Sequence, residues 1–198
     1  MNGFKESLIF TFVGYMDTDQ AVNFLKEGKL ILSATDTIWG IMCDATSEKA
    51  VEKVYQLKNR SETKSMVCMV SDLNMLDQFL EKKTEIPEEL INDKRPTTII
   101  YSNPKGIAKN VISSDNTVAI RIVKHYFCTS LIAAFGKPVV STSANISGQA
   151  HPKKFDEICD EIIKGVDLII DLDKNLISNN PSRIIKITPS GALTTLRE

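Results

Sequence analysis

Apolar and polar positions along this chain switch between a period of two and a period near three and a half, and the switches mark its elements. Leu8 to Val13 is a short apolar run suited to an edge strand. Asp17 or Thr18 can cap a helix that carries Ala21, Val22 and Leu25 on one face and ends at Gly28. Leu30–Ala34 reads as a strand, Thr35–Gly40 as a polar turn, and Ile41–Cys43 as the strand that follows it. Thr46 or Ser47 can cap the next helix, whose Ala50, Val51, Val54 and Leu57 recur at helical spacing. Met66–Val70 is β-type again. A helix over about Leu73 to Leu80 follows, then an acid-rich stretch in which Pro87 can start another short helix.

Thr97–Tyr101 and Val118–Ile122 are β-rich, and Phe127–Phe135 is a strongly apolar helix stopped by Gly136. Pro138–Val140 opens a strand that runs into Ser141–Gly148. Phe155, Ile158, Ile162 and Ile163 define a last amphipathic helix. Leu168–Leu172, Ser182–Ile187 and Leu193–Leu196 then read as strands, the last two joined by the turn Pro189-Ser190-Gly191. These closing strands follow too closely for helical crossovers, so the expected fold class is α/β with a mixed sheet. No repeat, low-complexity tract or linker divides residues 1–198, which read as one domain.

Composition sharpens this picture. With 42% apolar residues in 198, the chain can bury a substantial core. Twenty-four basic against 25 acidic residues give a net charge of −1, so affinity for phosphate or nucleic acid must come from a local patch. Cys43, Cys68, Cys128 and Cys159 form no C-x-x-C pair, the usage of reduced thiols in a cytoplasmic protein. His125 and His151 lack metal-ligand spacing, so no protein-held metal is expected. The N-terminal run is too short for an export signal or a membrane span.

Candidate chemistry gathers at two strand ends. In Leu57–Val70, LKNRSETKSMVCMV, the cations Lys58, Arg60 and Lys64 lie between a helix and a strand, where fixed donors can compensate phosphate charge. Ser141–Gly148, STSANISG, is dense in hydroxyl and amide side chains. There is no P-loop, no G-x-G-x-x-G and no G-x-S-x-G elbow. The polar groups left at strand ends include Thr35, Asp36, Thr37, Arg121, Ser182 and Arg197. They offer cations and hydroxyls without a nucleophile–base pair, which suits displacement at a nucleotide phosphate driven by positioning and charge neutralisation. Simpler readings stand beside this one: Lys58 and Arg60 also complement a helix dipole, STSANISG also makes a capped loop, and Arg121 needs a partner only if its side chain is buried.

TDTIWG, the K-x-R of LKNR with a lysine four residues on, Val118-Ala119-Ile120-Arg121, the S-x-N of STSANISG and a C-terminal Pro-Ser before a strand occur here in one order. Together they resemble the YrdC family, the threonylcarbamoyl-AMP synthases, over roughly the whole chain. The resemblance implies a twisted mixed sheet with helices packed on it and an open, concave, basic face holding ATP with Mg²⁺ and L-threonine. It implies that threonine, bicarbonate and ATP are joined into threonylcarbamoyl-adenylate with release of pyrophosphate, and that partner proteins of a threonylcarbamoyl-transferase complex place the group on an adenosine beside a tRNA anticodon.

By the same resemblance, Arg60 and Lys64, supported by Lys58, would hold ATP phosphates, with Thr117 near the nucleotide and Arg197 closing over it. Thr35, Thr37, Ser141 and Ser182 would face threonine, Arg121 would pair with its carboxylate, and Ser143 and Asn145 would bridge the two ligands. The chain departs from the family pattern at Ala34 and Ser61, where prolines are usual, at Asp93-Lys94-Arg95-Pro96 in place of W-P-G-P, and at Arg121-Ile122-Val123-Lys124-His125, which lacks the proline of R-x-P-x-H. Two alternatives therefore remain at this stage. One is an RNA-binding module acting on tRNA or other RNA. The other is a carbamoyl-adenylate former with a different substrate, like the related domains of hydrogenase-maturation proteins.

Overall fold

A computed structural model of the chain describes residues 8–9, 18–60, 66–83, 85–175, 181–188 and 192–198. In chain order the elements are β1 (Leu8–Ile9), α1 (Thr18–Lys26), β2 (Ile31–Ser33), β3 (Gly40–Asp44), α2 (Glu48–Leu57), β4 (Val67–Val70), α3 (Leu73–Gln78), α4 (Glu88–Asn92) and β5 (Thr97–Ser102). They continue with β6 (Thr117–Ile122), α5 (Tyr126–Phe135), β7 (Val139–Ser143), α6 (Asp160–Gly165), β8 (Leu168–Ile169), β9 (Arg183–Ile187) and β10 (Leu193–Arg197). The described strands form one sheet in the order β1-β8-β2-β3-β7-β4-β6-β5-β9-β10. It is mixed: β4 is parallel to β6 and antiparallel to β7, and β9 is parallel to β5 but antiparallel to β10.

The helices follow their apolar faces. Ala21, Val22 and Leu25 of α1 are buried, and α1 packs on α5, which buries Phe127, Cys128, Leu131, Ile132 and Phe135. Ser47, not Thr46, caps α2, its Oγ accepting from Ala50 N at 3.3 Å. Thr46 instead donates both N–H and Oγ–H to Asp44. Gly136 ends α5 at φ 74°, a left-handed conformation that a side chain disfavours.

Three sequence expectations are corrected. The helix expected to Leu80 stops at Gln78, because Phe79 and Leu80 turn toward the strand side, Leu80 bridging Pro104. Phe155 does not share a helix with Ile162. A 3-10 turn, Phe155–Glu157, puts its ring 5.2 Å from that of Trp39, and α6 begins only at Asp160. The strand expected over Leu168–Leu172 is only two residues long. The turn at Pro189-Ser190-Gly191 and the run beyond Ile9 to Val13 lie outside the described residues. All four cysteines are free, and burial pushes the Cys68 and Cys128 thiols up to about 12.

Lys58 is the largest departure, since the sequence reading makes it a ligand cation and the structure buries it as a clamp. The side chain is 1% exposed, and its ammonium donates to Asn145 O at 2.6 Å and to Ser143 O. Lys58 O in turn accepts from Ser147 N at 2.8 Å. The end of α2 thus ties down the segment after β7 through three hydrogen bonds. The next residue, Asn59, adopts φ 49°, and this left-handed step separates the inward Lys58 from Arg60. Burial, reinforced by the nearby Arg60 charge, lowers the Lys58 pKa from 10.5 to about 8.

Three stability outcomes follow from these contacts. Gly136→Ala should cost about 1 kcal/mol in denaturant unfolding, and an unchanged midpoint would contradict the left-handed cap. Lys58→Met, which strands two carbonyls, should cost about 1–3 kcal/mol. Because the folded chain holds this proton less tightly than the unfolded chain, the unfolded state binds more protons between pH of about 8 and 10.5. Wild-type stability should therefore rise relative to Lys58→Met across that window, and a flat difference would contradict a buried ammonium.

Candidate functional site

The functional face follows from the pleat of β6. Ile120 and Ile122 join Ile99 and Tyr101 in the wall of an apolar cavity of about 420 Å³ beside α3 and α4. Alternation then sends Arg121 to the other face of the sheet. There it lines a second cavity of about 330 Å³, built from polar groups at the ends of β3, β4, β7 and β9.

Register brings these groups together. Gly40 of β3 pairs with Ser143 of β7, and Met42 with Ser141. A Cβ on Gly40 would lie 2.7 Å from Ser141 Oγ, so only glycine lets that hydroxyl occupy its place on the wall. The preceding turn is folded by Thr35, whose Oγ accepts from Thr37 N at 3.1 Å and Ile38 N at 3.3 Å and donates to Ile38 O at 2.8 Å. The Thr35 and Thr37 hydroxyls lie 3.0 Å apart, both buried on the cavity wall. Asn145 also lines it, its amide NH₂ donating to Ile146 O and Gln149 O while its buried Oδ1 has no hydrogen-bond partner.

Three guanidinium groups face this space, from Arg60, Arg121 and Arg197, and among the described residues the lining carries no carboxylate. Arg121 is 5% exposed; its Nη2 lies 3.1 Å from Asp36 Oδ1, and its buried Nε has no hydrogen-bond partner. Arg197 reaches back from β10, its Nε and Nη2 donating to Ser182 O at 3.0 and 2.7 Å. Ser182 Oγ lies 2.7 Å from Thr98 Oγ. Burial lowers the pKa of Arg60, and burial together with the Arg121 charge lowers that of Arg197. Three guanidinium groups crowded on one wall suit an anion, and the hydroxyls around them can hold its neutral polar groups.

Most residues expected from sequence meet here. Arg60, Arg121 and Arg197 supply the charge, Thr35 and Thr37 come from the turn between β2 and β3, Ser141 and Ser143 from β7 with Asn145 just beyond it, and Ser182 from just before β9. Lys58 is absent from the wall because its ammonium is engaged by backbone. Thr117 is on the same strand face as Arg121 but about 13 Å along it at the usual strand rise. It is not part of the wall, and its hydroxyl donates to Asp115 at 2.7 Å. Lys64 lies outside the described residues. The sequence reading did not assign Gln149 and His151, which also line the cavity, or Asp36 behind it. Asp36 alone carried a signal, as an acidic residue inside a short turn between two apolar strands.

Comparison with known proteins agrees with this geometry. The Sua5/YciO/YrdC family model, described as telomere recombination, matches residues 23–198. A Methanocaldococcus jannaschii protein named "Putative threonylcarbamoyl-AMP synthase" is 34% identical over 192 residues, covering 93% of this chain and 89% of the relative. A Vibrio vulnificus threonylcarbamoyl-AMP synthase is 28% identical over 155 residues, covering 76% and 83%. The crystal structure of P. abyssi Sua5 complexed with L-threonine superimposes with a TM-score of 0.78 at 24% identity, over 91% of this chain and 53% of that one. The chain therefore spans about half the length of that Sua5, whose likeness extends to the fold. From the family model and the archaeal relative together, the chain belongs to the Sua5/YciO/YrdC family.

Proposed function

We propose that this chain is a threonylcarbamoyl-AMP synthase, a nucleotidyltransferase that joins L-threonine, bicarbonate and ATP and releases pyrophosphate. The observation that supports it best is Arg121, a buried guanidinium on the cavity wall with an unpartnered Nε beside the Thr35 and Thr37 hydroxyls. A planar fork of donors suits a carboxylate, and hydroxyls suit the threonine side chain. Relatives named for the same product favour this reading.

In the proposed reaction the threonine amine adds to the carbon of bicarbonate with loss of water, giving a carbamate. A carbamate oxygen attacks the α-phosphorus of ATP, the bond to the β-phosphate oxygen breaks, and pyrophosphate leaves with the electron pair. Arg60 and Arg197, with Lys64 as a further candidate, would offset charge on the phosphates, and Ser143 and Asn145 would lie between the two substrates. None of these groups has to form a covalent bond. The carbamate is short-lived in water, so exclusion of bulk solvent by the bound nucleotide is part of the proposal.

Mg²⁺ enters this reading as part of the nucleotide. Among the described residues no group of three His, Cys, Asp or Glu side chains could hold a metal, and the cavity wall offers guanidinium groups in place of carboxylates. Phosphate oxygens of ATP are hard oxygen ligands of the kind this ion takes. Transfer of the product's carbamoyl group to a tRNA adenosine by a partner complex, any RNA contact by the basic face, and action in the cytoplasm complete the proposal. Among the described residues no helix is long and apolar enough to cross a membrane.

Purified protein with ATP, Mg²⁺ and bicarbonate should release pyrophosphate only when L-threonine is added, and release indifferent to threonine would overturn the assignment. Arg121→Ala should raise the KM for threonine by about tenfold or more, one lost charge-assisted contact, with little change for ATP. Arg60→Ala should do the reverse. Equal effects of each variant on both substrates would remove the division of the cavity into two subsites.

A further inference from the structure

Asp36 touches no part of the cavity, yet its carboxylate lies buried directly behind it. Its Oδ1 is 3.1 Å from Arg121 Nη2, with each side chain 6% exposed, and its Oδ2 accepts from Lys124 N at 3.1 Å. Lys124 is itself held, because its ammonium donates to Ile91 O at 3.2 Å and to Asp93 O. Asp93 then accepts from Arg183 at 2.8 Å, the residue beside cavity-lining Ser182. One oxygen of Asp36 is thus anchored to the chain after β6, while the other, which makes no hydrogen bond, stands against one end of the guanidinium as its ion-pair partner. Arg121 Nη2 also lies 3.4 Å from Met69 Sδ, so that end has no freedom to turn away.

We propose that Asp36 is a positioning residue, fixing Arg121 so that its remaining N–H donors meet the substrate carboxylate in a set orientation. The inference rests on the synthase reading and adds to it the residue that makes the carboxylate subsite directional. Two effects of Asp36 oppose each other, which makes the proposal testable by sign. As a negative charge it offsets the pull of Arg121 on a second carboxylate, so removing it would tighten threonine binding if charge dominated. As a brace it sets the geometry of a bidentate contact, and removing it would weaken binding if orientation dominated. The anchoring of Oδ2 on Lys124 N, with Met69 Sδ against the same Nη2 that Oδ1 faces, favours orientation.

The test is calorimetric binding of L-threonine and of ATP to wild type, Asp36→Asn and Asp36→Glu, together with the NMR signal of the Arg121 Nε–H, assigned by its loss in Arg121→Lys. In Asp36→Asn the threonine Kd should rise about tenfold or more, the usual cost of a misplaced contact, while the ATP Kd holds. Exchange of the Arg121 Nε–H with water should accelerate, and Asp36→Glu should recover part of both effects. Unchanged or tighter threonine binding by Asp36→Asn overturns the inference. If Asp36→Asn does not fold, Asp36→Glu carries the same test, with a smaller shift in each readout. Wild type that binds no L-threonine overturns the synthase reading, and the NMR signal then decides the brace alone: an Arg121 Nε–H unaltered by the substitution refutes it.

Discussion

A guanidinium buried in the middle of a strand is the constraint around which the rest of this structure is arranged. Removing Arg121 from water costs several kcal/mol unless its charge is matched, and breaking such a buried pair costs about 3–5 kcal/mol. Asp36 supplies the match from a turn between β2 and β3, with β7 and β4 lying between β3 and β6 in the sheet. That reach requires the Thr35–Gly40 turn to hold one shape, and the Thr35 hydroxyl supplies it with bonds to Thr37 and Ile38. Gly40 leaves room for the Ser141 hydroxyl on the wall beside this turn. The result is a cavity whose charge is fixed before any ligand arrives, the condition under which electrostatic stabilisation works without reorganisation.

The cations divide into two kinds by what their donors touch. The Lys58 ammonium donates to two backbone carbonyls at and just after the end of β7, so the S-x-N segment is held by a residue of the K-x-R motif. Arg60, one residue past the left-handed Asn59, is on the cavity wall. Adjacent motif positions therefore do different work, one setting the backbone that carries Ser143 and Asn145 and the other facing the space those residues enclose.

Fold class, sheet type and most element positions were legible because the apolar periods are clear: Ala21, Val22 and Leu25 in α1, or Phe127 to Phe135 before Gly136. What failed depended on contacts distant in sequence. Phe155 left its expected helix for Trp39, more than a hundred residues away, and no local period can register that pull. Lys58 looks like any last-turn lysine in sequence; only the return of β7 beside α2 shows its acceptors to be backbone carbonyls. Thr117 shares a face with Arg121, which pattern reveals, but distance along the strand decides membership of the cavity. Asp36 was visible among the polar strand-end residues without its role, because its partner lies 85 positions on. In the loop of Asp93-Lys94-Arg95-Pro96, Asp93 is held by Arg183 and Lys124, contacts that the local sequence does not announce.

The central claim is that the Arg121 subsite recognises a carboxylate on an amino acid bearing a hydroxyl. The most direct measurement is equilibrium binding of L-threonine against L-threoninamide, which keeps the amine and hydroxyl but replaces the carboxylate with a neutral amide. The account predicts saturable binding of threonine and loss of at least tenfold in affinity for the amide, the worth of a charge-assisted bidentate contact at about 1.5–3 kcal/mol. Equal affinity for the two ligands would show that Arg121 does not read the carboxylate, and would contradict the account.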